Sequence, residues 1–307
     1  MIDFFVITAL IAVVLFATSS ILTKYLIPMS GGPFAFFTVS LNIGVFIILA
    51  IVLLTSNLDE LIITSPKILS IMCLISLFAF LGYTTLLVGF QKGNVSVGGI
   101  ILSSRVFVSI PLAFFLIGER YSYYIYILLI FSLGGSIMVS WTKQLSMIQV
   151  MQLKAPGMKW FILTSIFWAT SNFLTRYMDR QLSVGVFLLY RQILMIIMCW
   201  IFFRSGRKLF DTGPIIFDRK LIRGVLTYLG VLLFAQFCFV YSLGYSLTIS
   251  EGIGISEGFF TLIFSLIIAH FVDNSVLNEP LDKHTLSIRF LGAAIAGIST
   301  LLVVLSV

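Results

Sequence analysis

The sequence predicts an all-α polytopic membrane protein with ten transmembrane helices arranged as two inverted five-helix repeats. Three observations predict it. Of 307 residues, 60% are hydrophobic and 10% charged, and the mean hydropathy is +1.13; a water-soluble core of this length cannot bury that much apolar surface. The apolar residues fall into ten stretches of about the 20 residues that a helix needs to cross a bilayer, where the backbone must satisfy its own hydrogen bonds. Finally, Ala17-Thr18-Ser19-Ser20-Ile21-Leu22-Thr23-Lys24-Tyr25 in the first stretch returns half a chain later as Ala169-Thr170-Ser171-Asn172-Phe173-Leu174-Thr175-Arg176-Tyr177.

The first five spans run from Ile2 to Ile27, Pro33 to Thr55, Ile68 to Phe90, Val95 to Ile117 and Tyr121 to Trp141. The first is too long for the apolar region of a signal peptide and no small-residue cleavage site follows it, so it is expected to be retained. The second five run from Trp160 to Met178, Ser183 to Phe203, Leu221 to Leu243, Ile249 to Val272 and Ser287 to Val307. Between the sets, a stretch with Lys143, Lys154, Pro156 and Gly157 has no sustained apolar periodicity. This gives a first repeat at 1–142, a linker at 143–158 and a second repeat at 159–307. Val95-Ser96-Val97-Gly98 opening span four resembles Ile249-Ser250-Glu251-Gly252 opening span nine, and both follow short turns, which predicts tight hairpins. An odd number of spans per repeat turns the second copy over relative to the first, the symmetry from which many carriers build a midplane site.

Composition also excludes functions. Lys and Arg total 19 against 12 Asp and Glu, but basic residues of membrane proteins gather in cytoplasmic loops beside anionic headgroups, so no nucleic-acid partner is expected. Cys73, Cys199 and Cys238 lie in apolar runs without the spacing of a metal site. No P-loop, HExxH or nucleophile elbow occurs, which argues against an ATP-driven pump or a hydrolase; neither an enzyme nor a cofactor is expected.

The Ala-Thr-Ser elements of spans one and six, Pro111 in span four and Gly118-Glu119-Arg120 after it resemble the drug/metabolite transporter (DMT) superfamily, in its EamA-like ten-helix branch. The resemblance implies a secondary carrier of small metabolites, often an exporter, with a cavity lined by spans one, three, four, six, eight and nine. It also implies a counterpart of Glu119 after span nine, either Asp273 or Glu279, with Glu279 in Asn278-Glu279-Pro280 favoured. Members tend to carry an arginine in spans two and seven; Arg191 fits span seven, whereas span two offers only Ser40 and Asn42.

Each ionisable side chain at mid-bilayer costs about 2.5–3.5 kcal/mol and so needs a partner, a wet cavity or a function. Arg105 sits midway along span four, sharing a face with Gly98, Leu102 and Ser109. Glu257 lies at similar depth in span nine beside Gly254 and Thr261, which allows an Arg105 to Glu257 ion pair that either locks the two helices together or forms a substrate site. As a substrate site, Arg105 would hold a carboxylate or phosphate and Glu257 an amine or a coupled proton. Glu251 reads as an acid complementing the dipole of a helix start, with a coupling role as the rival. Arg191 reads as structural, bound to carbonyls or to hydroxyls of span six. Lys24 and Arg176, equivalent in the two repeats, either snorkel to headgroups or gate opposite mouths. Tyr83, Trp168, Phe237 and Tyr241 are candidate cavity rings, and Gly254 with Gly258, and Ala293 with Gly297, are candidate close-packing pairs.

These residues point to a secondary transporter, proton-coupled or facilitative, moving a small polar metabolite such as an amino acid by alternating access. A rival is an importer of an organic cation such as choline; from another class, a membrane sensor or assembly partner that transports nothing and has a collapsed cavity. The expected partners are a small-molecule substrate and the bilayer, with a monomer or homodimer in a prokaryotic cytoplasmic (inner) membrane. On orientation two arguments conflict. The even-numbered connections carry Lys67, Arg120, Arg176 and Arg180, and the odd-numbered ones thirteen Lys and Arg, which places both termini outside. The resemblance implies both termini in the cytoplasm.

Overall fold

The computed structural model describes residues 3–55, 65–92, 102, 104–139, 157–178, 181–206, 218–271 and 283–306. All regular structure among them is helical: α1 (Phe4–Met29), α2 (Pro33–Thr55), α3 (Pro66–Lys92), α4 (Val106–Leu112, continued by a π turn over Ala113–Ile117), α5 (Tyr123–Val139), α6 (Met158–Tyr177), α7 (Val184–Gly206), α8 (Arg219–Leu243), α9 (Leu247–Gly254), α10 (Glu257–Phe271) and α11 (Lys283–Ser306). Spans one to eight correspond to α1–α8. Span nine is broken by a turn at Ile255–Ser256 into α9 and α10, and it starts earlier than Ile249; α11 is span ten. Of the linker, 143–156 lies outside the described residues.

Seven of these spans are long and apolar enough to cross a membrane, and α4 and α5 are shorter apolar helices. The tenth, α6, is 20 residues long but more polar, carrying Thr164, Ser165, Ser171, Asn172, Thr175 and Arg176. Its polarity fits its place: it packs against α3, α4, α8 and α9 rather than being left to lipid alone.

The duplicated element has a local structural role in both halves. Thr18 and Thr170 donate to the carbonyls four residues back, Val14 O at 3.0 Å and Ile166 O at 2.9 Å. Thr23 and Thr175 do the same to Ser19 O at 2.8 Å and Ser171 O at 2.9 Å. Such bonds satisfy hydroxyls inside a helix without a partner from outside it. Tertiary packing repeats as well. Exchanging the two halves maps the α1–α8 contact onto α6–α3 and the α1–α9 contact onto α6–α4, while α2–α7 and α5–α11 map onto themselves.

Turns between spans are set by glycine. Gly31 and Gly32 hold φ of 86° and 130° in the three-residue link from α1 to α2, and Gly118 at φ 80° ends the π turn; these are left-handed values at which a Cβ is strained. Inside α4, Pro111 has no N–H for the carbonyl of Phe107.

At one side of the bundle α5 and α11 cross in backbone contact. A Cβ on Gly135 would lie 2.5 Å from Ala296 N and 2.6 Å from Gly292 O, and Ser132 and Thr300 hydroxyls bond across the same seam at 3.0 Å. The close-packing pair expected at Ala293 and Gly297 is therefore displaced: Ala293 is buried, but a Cβ on Gly297 would meet nothing within 4 Å, and the seam runs through Gly292 and Ala296. The second expected pair also serves differently, because Gly254 makes room for Arg105, and a Cβ on Gly258 would make only an ordinary 3.7 Å contact with Ser136.

Candidate functional site

A cavity of about 110 Å³ lies between the halves, room for several waters or a small solute. It is walled by α1, α2, α3, α6, α7, α8, the first residue of α10 and Arg105 in the turn before α4. Spans two and seven thus join the six that the sequence resemblance implied.

Arg105 does line this cavity, but its partner is not Glu257. Its Nε donates to Glu251 Oε2 at 2.6 Å, with the two side chains 8% and 0% exposed. The other Glu251 oxygen accepts from Asn172 Nδ2 at 2.6 Å. Glu251 is the fifth residue of α9, in the helix body, so the expected dipole role is replaced by an ion pair joining the α4 turn, α6 and α9. Glu251 and Glu257 lie on different helical pieces, α9 and α10. Gly254 completes the arrangement, since a Cβ there would stand 2.7 Å from Arg105 Nη2.

Glu257 instead begins α10, where the helix dipole favours a carboxylate, and receives a long 3.4 Å bond from Ser20 of α1. Arg191, expected to bind carbonyls or hydroxyls of span six, reaches α8: Nη2 donates to Gln236 Oε1 at 2.6 Å, and Gln236 Nε2 donates to the Tyr83 hydroxyl at 2.8 Å. Phe187 lies beneath its guanidinium at 5.6 Å. Arg191 Nε and Ser40 Oγ are buried without hydrogen-bond partners among the described residues, and both residues line the cavity.

Two of the four candidate rings belong to the cavity. Tyr83 and Trp168 meet edge-to-face with centroids 5.4 Å apart, and Gly82 leaves space for the indole. Phe237 is 41% exposed on the outer face of α8. Tyr241 packs with Phe4 and Tyr245 near the start of α1. On a helix each residue turns 100° from the last, so with Gln236, Phe239 and Val240 facing the cavity, Phe237 and Tyr241 point away from it. Sequence reading missed Phe16, Phe36, Phe37, Tyr228 and Phe239 among the lining rings; nothing in composition separates them from rings packed elsewhere. Among the described residues no group of three or more His, Cys, Asp or Glu could hold a metal.

Residues 3–141 match the profile of the EamA-like transporter family. This half of the chain is an EamA-like unit of the drug/metabolite transporter superfamily. A solved crystal structure of a protein is similar over 97% of this chain and 99% of its own, at TM-score 0.70 and 13% identity, a likeness of fold alone. No curated protein sequence matches the chain. EamA-like units are membrane transporters of small molecules, and this chain is an integral multi-pass membrane protein.

The Gly118-Glu119-Arg120 element of the EamA-like unit ties several spans together. Glu119 accepts from Leu247 N and Thr248 N, each at 3.0 Å, capping α9, and from Ser246 Oγ at 3.2 Å. Arg176, at the end of α6, donates through Nε to Glu119 Oε1 at 2.8 Å and through Nη1 to Gly244 O at 2.9 Å. Burial disfavours the Glu119 charge, but the backbone N–H groups and Arg176 outweigh it and hold this carboxyl below its ordinary range. Arg176 is therefore engaged with protein and does not simply snorkel. Lys24, its equivalent on α1, is half-buried; Asp273 and Glu279, the candidate counterparts of Glu119, lie outside the described residues.

Proposed function

We propose that this protein is a secondary carrier of a small polar metabolite, an amino acid or related zwitterion, by alternating access at the central cavity. The observation that carries the reading is a cavity shared by both halves with an arginine and an acid in its wall that are not paired with each other. Arg105 pairs with Glu251 and Arg176 with Glu119, whereas Arg191 and Glu257, both in the cavity wall, form no ion pair with another described residue. An unpaired charge at this depth is costly unless solvent or a ligand attends it.

Glu257 takes the amine of the substrate or a coupled proton, Tyr83 and Trp168 bound its apolar part, and Arg105 holds the wall from which α10 starts. The Arg176–Glu119 cluster and Lys24 occupy equivalent ends of α6 and α1 and gate opposite mouths, so the hydrogen bonds of Glu119 must loosen when that end opens. Export across a prokaryotic inner membrane fits the superfamily. A sensor without transport is disfavoured by the presence of a cavity, because that reading expects large side chains to fill it.

Counterflow in proteoliposomes tests the proposal. Vesicles preloaded with unlabelled amino acids are expected to accumulate the labelled one transiently; no protein-dependent exchange with any amino acid would overturn the reading.

A further inference from the structure

The geometry points to Arg191, Tyr83 and Ser40 as the subsite that receives the carboxylate of a zwitterionic substrate. The assignment deepens the carrier reading and takes the zwitterion from it.

Hydrogen-bond direction supplies the argument. A guanidinium only donates, so the bond from Arg191 Nη2 fixes Gln236 with Oε1 toward Arg191 and its amide N–H₂ toward Tyr83. The Tyr83 oxygen then accepts, and its own proton is left to donate. Arg191 Nε–H and the Ser40 hydroxyl are buried without partners among the described residues, at residues 8% and 5% exposed. Ser40 is one helical turn from Phe37, whose ring stacks on Tyr83 at 5.7 Å. Three spans, α2, α3 and α7, thus present spare donors to one cavity, and a buried donor without an acceptor is costly.

The charge balance selects the class of anion. Arg105 and Glu251 cancel, so the cavity retains one cation at Arg191 and one anion at Glu257. A phosphate dianion would leave excess negative charge beside Glu257. A carboxylate at Arg191 with an ammonium at Glu257 keeps the site neutral, and the planar guanidinium suits a carboxylate. An organic cation without an acid would leave the spare donors of Arg191, Tyr83 and Ser40 unmet.

The test uses full-length protein in detergent and in proteoliposomes, with leucine, its decarboxylated amine 3-methylbutylamine, and the other proteinogenic amino acids with their corresponding amines. Wild type is expected to be stabilised thermally by at least one amino acid and not by its amine. Arg191→Met, which removes a charge that has no acid partner, is expected to fold and to lose this stabilisation. Tyr83→Phe is expected to raise the half-saturating amino-acid concentration by about tenfold or more, the loss of one hydrogen bond to a charged group. If the amino acid stabilises wild type and Arg191→Met equally, or amines bind as tightly as amino acids, the assignment is overturned. Stabilisation that depends on Arg191 without counterflow would uphold the subsite and overturn the carrier reading. Counterflow of amines alone would keep a carrier and overturn the subsite.

Discussion

Glu251→Gln should destabilise the protein far more than its isosteric shape suggests. Glu251 is fully buried and its two oxygens accept from Arg105 Nε and Asn172 Nδ2, both at 2.6 Å. A glutamine can offer a carbonyl to only one of these donors and turns an N–H₂ group toward the other. Arg105, itself buried, then carries an uncompensated charge. Removing one member of such a pair costs about 3–5 kcal/mol, which is about two to four orders of magnitude in the folding equilibrium. At the roughly 2–4 °C per kcal/mol typical of chains of some 200 residues, the unfolding midpoint should fall on the order of ten degrees. The assay is thermal unfolding of purified protein followed by the fluorescence of its four tryptophans. Arg105→Met combined with Glu251→Leu should recover most of the loss, leaving only the orphaned Asn172 amide at about 1–3 kcal/mol. A Glu251→Gln protein as stable as wild type, or a double mutant as unstable as the single one, would refute the pairing. In a stable double mutant, retained exchange assigns Arg105 to holding the wall, and lost exchange assigns it to substrate.

Other outcomes follow from the same contacts. Gly254→Ala should lower the unfolding midpoint, because its Cβ would stand 2.7 Å from Arg105 Nη2; in the Arg105→Met, Glu251→Leu background the penalty should shrink. Glu119 has a depressed pKa in the folded protein, so its contribution to stability is full above the ordinary carboxylate range and is lost as pH falls through the folded value; Glu119→Gln should flatten the acid limb of a plot of midpoint against pH. Glu257→Gln keeps hydrogen bonding but cannot titrate, and should exchange substrate without concentrating it along a pH gradient if the proton is carried there. A reporter fused after Val307 that fluoresces only in the cytoplasm should stay dark if the excess of Lys and Arg in the odd-numbered connections sets the orientation.

The fold was readable because bilayer physics writes it in two strong signals, apolar length and duplicated polar residues. The Ala-Thr-Ser element even reports its own chemistry, since the hydroxyls of Thr18, Thr23, Thr170 and Thr175 bond to carbonyls one turn back. Pairings inside the cavity were less legible. Arg105 and Glu257 share a depth, which suggested a pair, but the break at Ile255–Ser256 separates α9 from α10, and Arg105 pairs with Glu251. Arg191 was expected against carbonyls or hydroxyls of span six, and it bonds instead to Gln236 of α8, a partner that sequence spacing does not reveal. Phe237 and Tyr241 lie outside the cavity because they point away from the face of α8 that carries Gln236, Phe239 and Val240.

A single site reached in turn from both faces of the membrane is most directly tested at Ser20, a half-buried cavity residue of α1. With Cys73, Cys199 and Cys238 replaced, a Ser20→Cys protein in sealed vesicles of known orientation can be exposed to a membrane-impermeant maleimide from one face at a time. Alternating access requires labelling from either face, slowed by bound substrate. Labelling from one face only, or unaffected by substrate, would contradict it.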